Sequence, residues 1–121
     1  MLGNDSPILV YSDKDLIRVG FRTSILQGAV LPQMEVDFKL AIAQMNRPRV
    51  LVDFFGVEYF PSTGLGSLIS MQKQVKGCAG QIRLANLAPH IRELFTLSGL
   101  DKVFVICETA EAAATSFDSA G

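Results

Sequence analysis

Chemically versatile side chains are scarce in this chain. One histidine, His90, and two cysteines, Cys78 and Cys107, are all it carries for metal binding or imidazole and thiol chemistry. The cysteines have no metal-ligand spacing and are too few for a disulfide scaffold, so they read as half-buried thiols of a reducing compartment, and no metal is expected. Excess charge of one sign is lacking too. Eleven Lys plus Arg against twelve Asp plus Glu leave a formal net charge of −1, which gives no electrostatic reason to expect nucleic acid or an anionic membrane as the main partner. The sequence has no uninterrupted apolar run of about 18 residues, so no membrane insertion is expected. Its first residues, Met-Leu-Gly-Asn-Asp-Ser, show no basic start before an apolar run, so no secretory signal is expected. Gly64-Leu-Gly66 has neither the length nor the lysine of a phosphate-binding loop, and no cofactor is expected. A cytoplasmic protein is the expectation.

What is present is core. Apolar residues make up 49% and charged residues 19% of 121 residues, enough to bury a sizeable interior in one domain over residues 1–121. Two β-type runs, Ile8 to Tyr11 and Leu16 to Phe21, flank the polar Ser12-Asp-Lys-Asp15, which predicts an antiparallel hairpin over residues 8–21. Met34, Phe38, Ala41 and Met45 recur at helical steps behind Pro32, which predicts a helix over 32–46. Arg49-Val-Leu-Val-Asp53 is a continuous apolar run, the pattern of a strand buried on both faces. A helix is expected over 62–77, a strand over 81–85 and a helix from Pro89 to 98 capped by Gly99. A strand over 102–107 and a short alanine-rich helix over 109–117 close the chain. The alternation predicts an α/β fold, a mixed sheet of four to five strands with an N-terminal hairpin, the remainder largely parallel, and about four helices.

The segment Val50-Leu-Val-Asp-Phe-Phe-Gly-Val-Glu-Tyr-Phe-Pro-Ser-Thr-Gly-Leu-Gly66 resembles the signature of STAS domains of the bacterial anti-sigma factor antagonist type. There, a buried strand ends in Asp and leads to Asp-Ser-Ser/Thr-Gly-Leu-Gly at the start of a helix. A second stretch, Gly80 to Phe104, is similar to the strand, Pro-initiated helix and Leu-x-Gly-Leu cap of that family. The resemblance implies that Ser62 is a phosphoacceptor and that Phe60, Pro61, Thr63, Gly64, Leu65 and Gly66 form a partner-binding surface, with Asp53 in support. It implies a partner switch: an anti-sigma factor with a histidine-kinase-like ATPase fold binds the unphosphorylated antagonist and releases its sigma factor. Phosphorylation then dismisses the antagonist, and a serine phosphatase restores it. The domain is a substrate in this cycle, with no catalytic residue of its own. Pro61 stands where the family usually has an acid, removing a carboxylate that a kinase or anti-sigma surface can read. Phe55 also departs from the pattern, and the early Gly-x-Leu/Ile-Asp feature is not evident in residues 21–28.

The same residues can be read without the resemblance. Ser62 ahead of an apolar helical stripe is by type an N-cap, worth about 1 kcal/mol. That account leaves unexplained two glycines in the first turn, each up to about 1 kcal/mol worse than alanine in a helix. Bare backbone there permits close approach by a strand, a phosphate or another protein. Asp53 either bonds the backbone of the following loop or belongs to a site at the sheet edge. Phe54, Phe55, Tyr59 and Phe60 form either a surface patch near Ser62 or a satellite cluster beneath the loop. His90 reads as a solvated surface residue. Besides the partner switch, two alternatives remain open: a STAS interaction module that is not phosphorylated, and a STAS domain that binds a nucleotide or lipid.

Overall fold

The computed structural model describes residues 6–13, 16–43 and 45–119. Strands β1 (Ile8–Asp13) and β2 (Leu16–Phe21) pair antiparallel, from Ile8 opposite Phe21 to Asp13 opposite Leu16. Lys14 and Asp15, part of the expected turn, lie outside the described residues. The chain continues through α1 (Val30–Ile42), β3 (Arg49–Asp53), α2 (Thr63–Gly77), β4 (Gln81–Ala85) and α3 (Pro89–Ser98). A 3-10 turn (Leu100–Lys102), β5 (Val105–Cys107) and α4 (Ala110–Ser119) follow. The sheet order is β1-β2-β3-β4-β5, with every pair after the first parallel. This is the α/β arrangement that alternation in the sequence predicts.

Because β2 to β5 add in one direction, crossovers of one hand place α1, α2 and α3 on the same face of the sheet. Val50 and Val52 join the core beneath those helices, while Leu51 between them faces the opposite side. All three are fully buried, the condition of a central parallel strand. Among the described residues α4 connects to no later strand, so the crossover rule does not bind it; its Ala113 and Phe117 cover Leu51 and Ala85 on the second face. Arg83 fastens that helix. Its guanidinium donates to Ser116 Oγ at 3.0 Å and lies 4.8 Å from the Phe117 ring centroid. Burial lowers the Arg83 pKa, partly offset by the neighbouring Cys107.

The first helix and the last strand differ most from expectation, and the closing helix spans Ala110–Ser119 rather than 109–117. The first helix spans Val30–Ile42 rather than 32–46. Pro32 is its third residue, where a missing N–H costs nothing because first-turn amides have no intrahelical acceptor. Beyond Ile42 the Met45 amide turns back to the Ile42 carbonyl, and Arg47, preceding Pro48, takes φ 56° and donates its amide to the Cys78 carbonyl. Met45 still packs against the core, but from the connecting turn. The last strand begins at Val105 rather than 102. Gly99 adopts φ 80°, and the amides of Val103 and Phe104 both turn back to the Leu100 carbonyl at 2.9 Å. Those donors are consumed by the turn before they can enter a ladder, although Val-Phe-Val-Ile reads as one β-run.

Candidate functional site

Strands β2, β3 and β4 all leave the sheet at one edge, since Val19 aligns with Val52 and Asp53 with Ala85. The carboxyl ends of parallel strands are where α/β folds gather their sites. Here the residue 54–62 connection is organised first by Asp53. Its Oδ1 accepts the Phe55 amide at 3.0 Å and the Asn86 Nδ2 at 2.9 Å, tying the exits of β3 and β4 together. The carboxylate therefore bonds the following loop, and it does so at the carboxyl edge of the sheet. Phe54 donates to the Ala85 carbonyl, and Val57 donates to the Phe54 carbonyl around Gly56 at φ 84°, a turn position that favours glycine.

That turn divides the four aromatic residues. Phe54 and Phe60 are buried, whereas Phe55 is 76% and Tyr59 49% exposed. The buried pair belongs to a run of rings, Phe21, Phe54, Phe60, Phe95 and Phe104, with successive centroids 5.5–6.3 Å apart. Phe60, expected on the partner-binding surface, thus lies under it: its ring stacks on Phe95 and meets Phe54 edge-on. The loop is held from outside as well. The Ser24 carbonyl accepts the amides of Glu58 at 2.7 Å and Tyr59 at 3.0 Å, and Leu26 donates back to the Tyr59 carbonyl. His90, exposed at the start of α3, is more than a solvated side chain, because its Nε2 meets the Glu58 carbonyl. None of these partners can be found from local sequence, since the pairs are separated by more than thirty positions.

Ser62 occupies the N-cap position of α2 but caps nothing. Its backbone is helical, φ −61° and ψ −26°, and its hydroxyl makes no cap hydrogen bond. An N-cap side chain works from an extended backbone, and that geometry is lost because the turn begins one residue earlier. The Gly64 amide already bonds the Pro61 carbonyl at 2.8 Å and the Leu65 amide the Ser62 carbonyl at 3.1 Å. Proline is suited to open such a turn. The hydroxyls of exposed Ser62 and Thr63 are therefore left free at the positive end of a helix dipole with no acid in its first turn.

The two glycines separate in role. A Cβ on Gly64 would stand 2.6 Å from Phe60 Cε1 and Cζ, so the ring itself demands glycine there. A Cβ on Gly66 would meet nothing within 4 Å, and the residue is exposed. Leu65 between them is half-buried and packs on the core, and Pro61 is half-buried. Hydroxyls, amides and aromatic carbon make up the site. Among the described residues no three His, Cys, Asp or Glu side chains gather as a metal set, and no helix is long and apolar enough to cross a membrane.

Comparison with known proteins places this geometry. The sequence model of the family described as "Mlab, STAS domain" matches residues 25–107, well over half of the chain. A candidate anti-sigma factor antagonist of Bordetella bronchiseptica, BtrV, is 32% identical over 105 residues, covering 84% of this chain and 90% of that protein. The anti-sigma-B factor antagonist of Bacillus subtilis is 36% identical over 55 residues, 46% of this chain and 50% of that one. Among solved structures, an anti-sigma-factor antagonist STAS domain protein from Planctomyces limnophilus superposes with a TM-score of 0.83 at 23% identity, covering 90% of this chain and 96% of the other. Phosphorylated SpoIIAA of Bacillus gives 0.71 at 20% identity over 91% and 98% of the two chains.

Proposed function

This chain belongs to the STAS domain family, and from that premise we propose that it is an anti-sigma factor antagonist whose binding is controlled at Ser62. The observation that carries the reading is the free Ser62 hydroxyl, exposed at the N-terminus of α2 and released from capping by the turn at Pro61. A relative at 32% identity bears the antagonist description, and a structural neighbour was solved as a phosphoprotein. On this reading Thr63, Gly66 and the exposed faces of Pro61 and Leu65 meet the partner, an anti-sigma factor with a histidine-kinase-like ATPase fold. Gly64, Phe60 and Asp53 hold that surface in place. The chain works in the cytoplasm, and a serine phosphatase reverses the modification.

The physics of the switch is local. A phosphoryl group on Ser62 sits where helix amides and dipole favour negative charge, so the fold tolerates it. The partner instead meets about two added negative charges and their bulk. A hundredfold loss of affinity needs only about 2.7 kcal/mol. The test is calorimetric titration of the chain with its ATPase-type anti-sigma factor, before and after incubation with ATP and magnesium, with intact-mass measurement. Binding that is lost as one phosphoryl mass appears, and retained in Ser62→Ala, supports the reading. Tight binding with no mass change would favour a module that is not phosphorylated, a reading to which Pro61 in the acid's place lends weight. Absence of binding in both states would refute the antagonist role.

A further inference from the structure

A groove of about 330 Å³ opens beside the site, between the first turns of α1 and α2, lined by Gln27, Gly28, Leu31, Pro32, Pro61, Thr63 and Ser67. Both helices start without a side-chain cap and without an acidic residue in the first turn. Their positive dipole ends are therefore uncompensated, and the amides of Leu31 and Thr63 find no acceptor among the described residues. Among the described residues no charged side chain lines the groove.

A second observation is independent of the helix ends. Ser67 is only 9% exposed, yet its hydroxyl has no hydrogen-bond partner among the described residues. Buried polar groups are nearly always paired. Among the described residues no fully enclosed polar side-chain atom is left unsatisfied, so the Ser67 oxygen is not sealed off, and Ser67 is one of the residues that line the groove. Ser67 and Thr63 thus line a small cavity together with Leu31, Pro32 and Pro61, and the unengaged amides of Leu31 and Thr63 belong to the two helix starts that border it. That is a set of donors with no cation, suited to a compact acceptor that carries negative charge.

We propose that this groove is a binding site for a small oxyanion, the group carried by phosphate or a carboxylate. Ser67 donates to it from below, and the amides that open α1 and α2 donate from either side. The site is separate from the Ser62 hydroxyl, which does not line the groove, and it stands whether or not Ser62 is modified. With no lysine or arginine in the lining, affinity for a free anion is modest, and binding saturates in the millimolar range.

The test is a two-dimensional amide NMR titration of the full chain with sodium phosphate and with sodium acetate, against sodium chloride at matched ionic strength. Expected are saturable shifts at Leu31, Thr63, Gly64 and Ser67 that chloride does not produce. Ser67→Ala should bind about tenfold more weakly, the loss of one hydrogen bond to a charged group. Pro32→Glu, which sets a carboxylate at the rim, should abolish the response while raising the melting temperature. Saturation by one anion alone defines the site as a phosphate or a carboxylate site, and either sustains the assignment. Shifts that match chloride for both anions, or a Ser67→Ala variant that titrates like the parent, overturn it. Pro32→Glu responding like the parent overturns it as well.

Discussion

Replacing each first-turn glycine of α2 by alanine separates what the fold requires from what a partner requires. At Gly66 the backbone is helical and the added methyl meets open space. Glycine costs up to about 1 kcal/mol against alanine in a helix, less near an end, so Gly66→Ala should stabilise the chain by about 0.5 kcal/mol. For this size that is about 2 °C in melting temperature. At Gly64 the methyl would lie 2.6 Å from two carbons of a ring that is itself 4% exposed, edge-on to Phe54 and stacked on Phe95. Overpacking of that kind costs about 1–3 kcal/mol, more than the helix gain returns, so Gly64→Ala should melt several degrees below the parent. Thermal unfolding followed by circular dichroism reads both. Titration against the anti-sigma factor then reads function. Gly66→Ala should bind at least tenfold more weakly, a loss of about 1.4 kcal/mol, despite being the more stable protein. If it binds as tightly as the parent, the argument that Gly66 is kept for a partner's close approach fails.

Ser62→Asp should keep its melting temperature within a few degrees, because a carboxylate at a helix N-terminus is favoured, and should lose anti-sigma binding in calorimetry; unfolding at room temperature would refute the helix-end placement. His90→Ala should leave global stability nearly unchanged but speed amide exchange at Glu58 and Tyr59, since it removes the contact that holds the Glu58 carbonyl to α3. Phe95→Ala opens the middle of the ring series under the site and should cost about 3–5 kcal/mol in urea unfolding. A loss below about 1 kcal/mol there would mean that the rings do not support one another.

Periodicity and punctuation determined the architecture. Arg49-Val-Leu-Val-Asp53 reads as a strand covered on both faces, and Gly99 as the cap that stops a helix, because those patterns are local consequences of backbone sterics and burial. The motif around Ser62 was legible for the same reason, as contiguous residues at a strand-to-helix junction. What the hydroxyl does was not. Serine before a helix reads as a cap, and only the turn begun at Pro61 leaves it free, through two backbone hydrogen bonds that residue type alone does not dictate. Nor could the sequence distinguish Gly64 from Gly66 or Phe55 from Phe60. Those differences arise where Phe60 meets Phe95 and where Ser24 and His90 clamp the loop from more than thirty positions away. Such contacts exist only after the sheet brings its strand ends to one edge, so they belong to the tertiary structure.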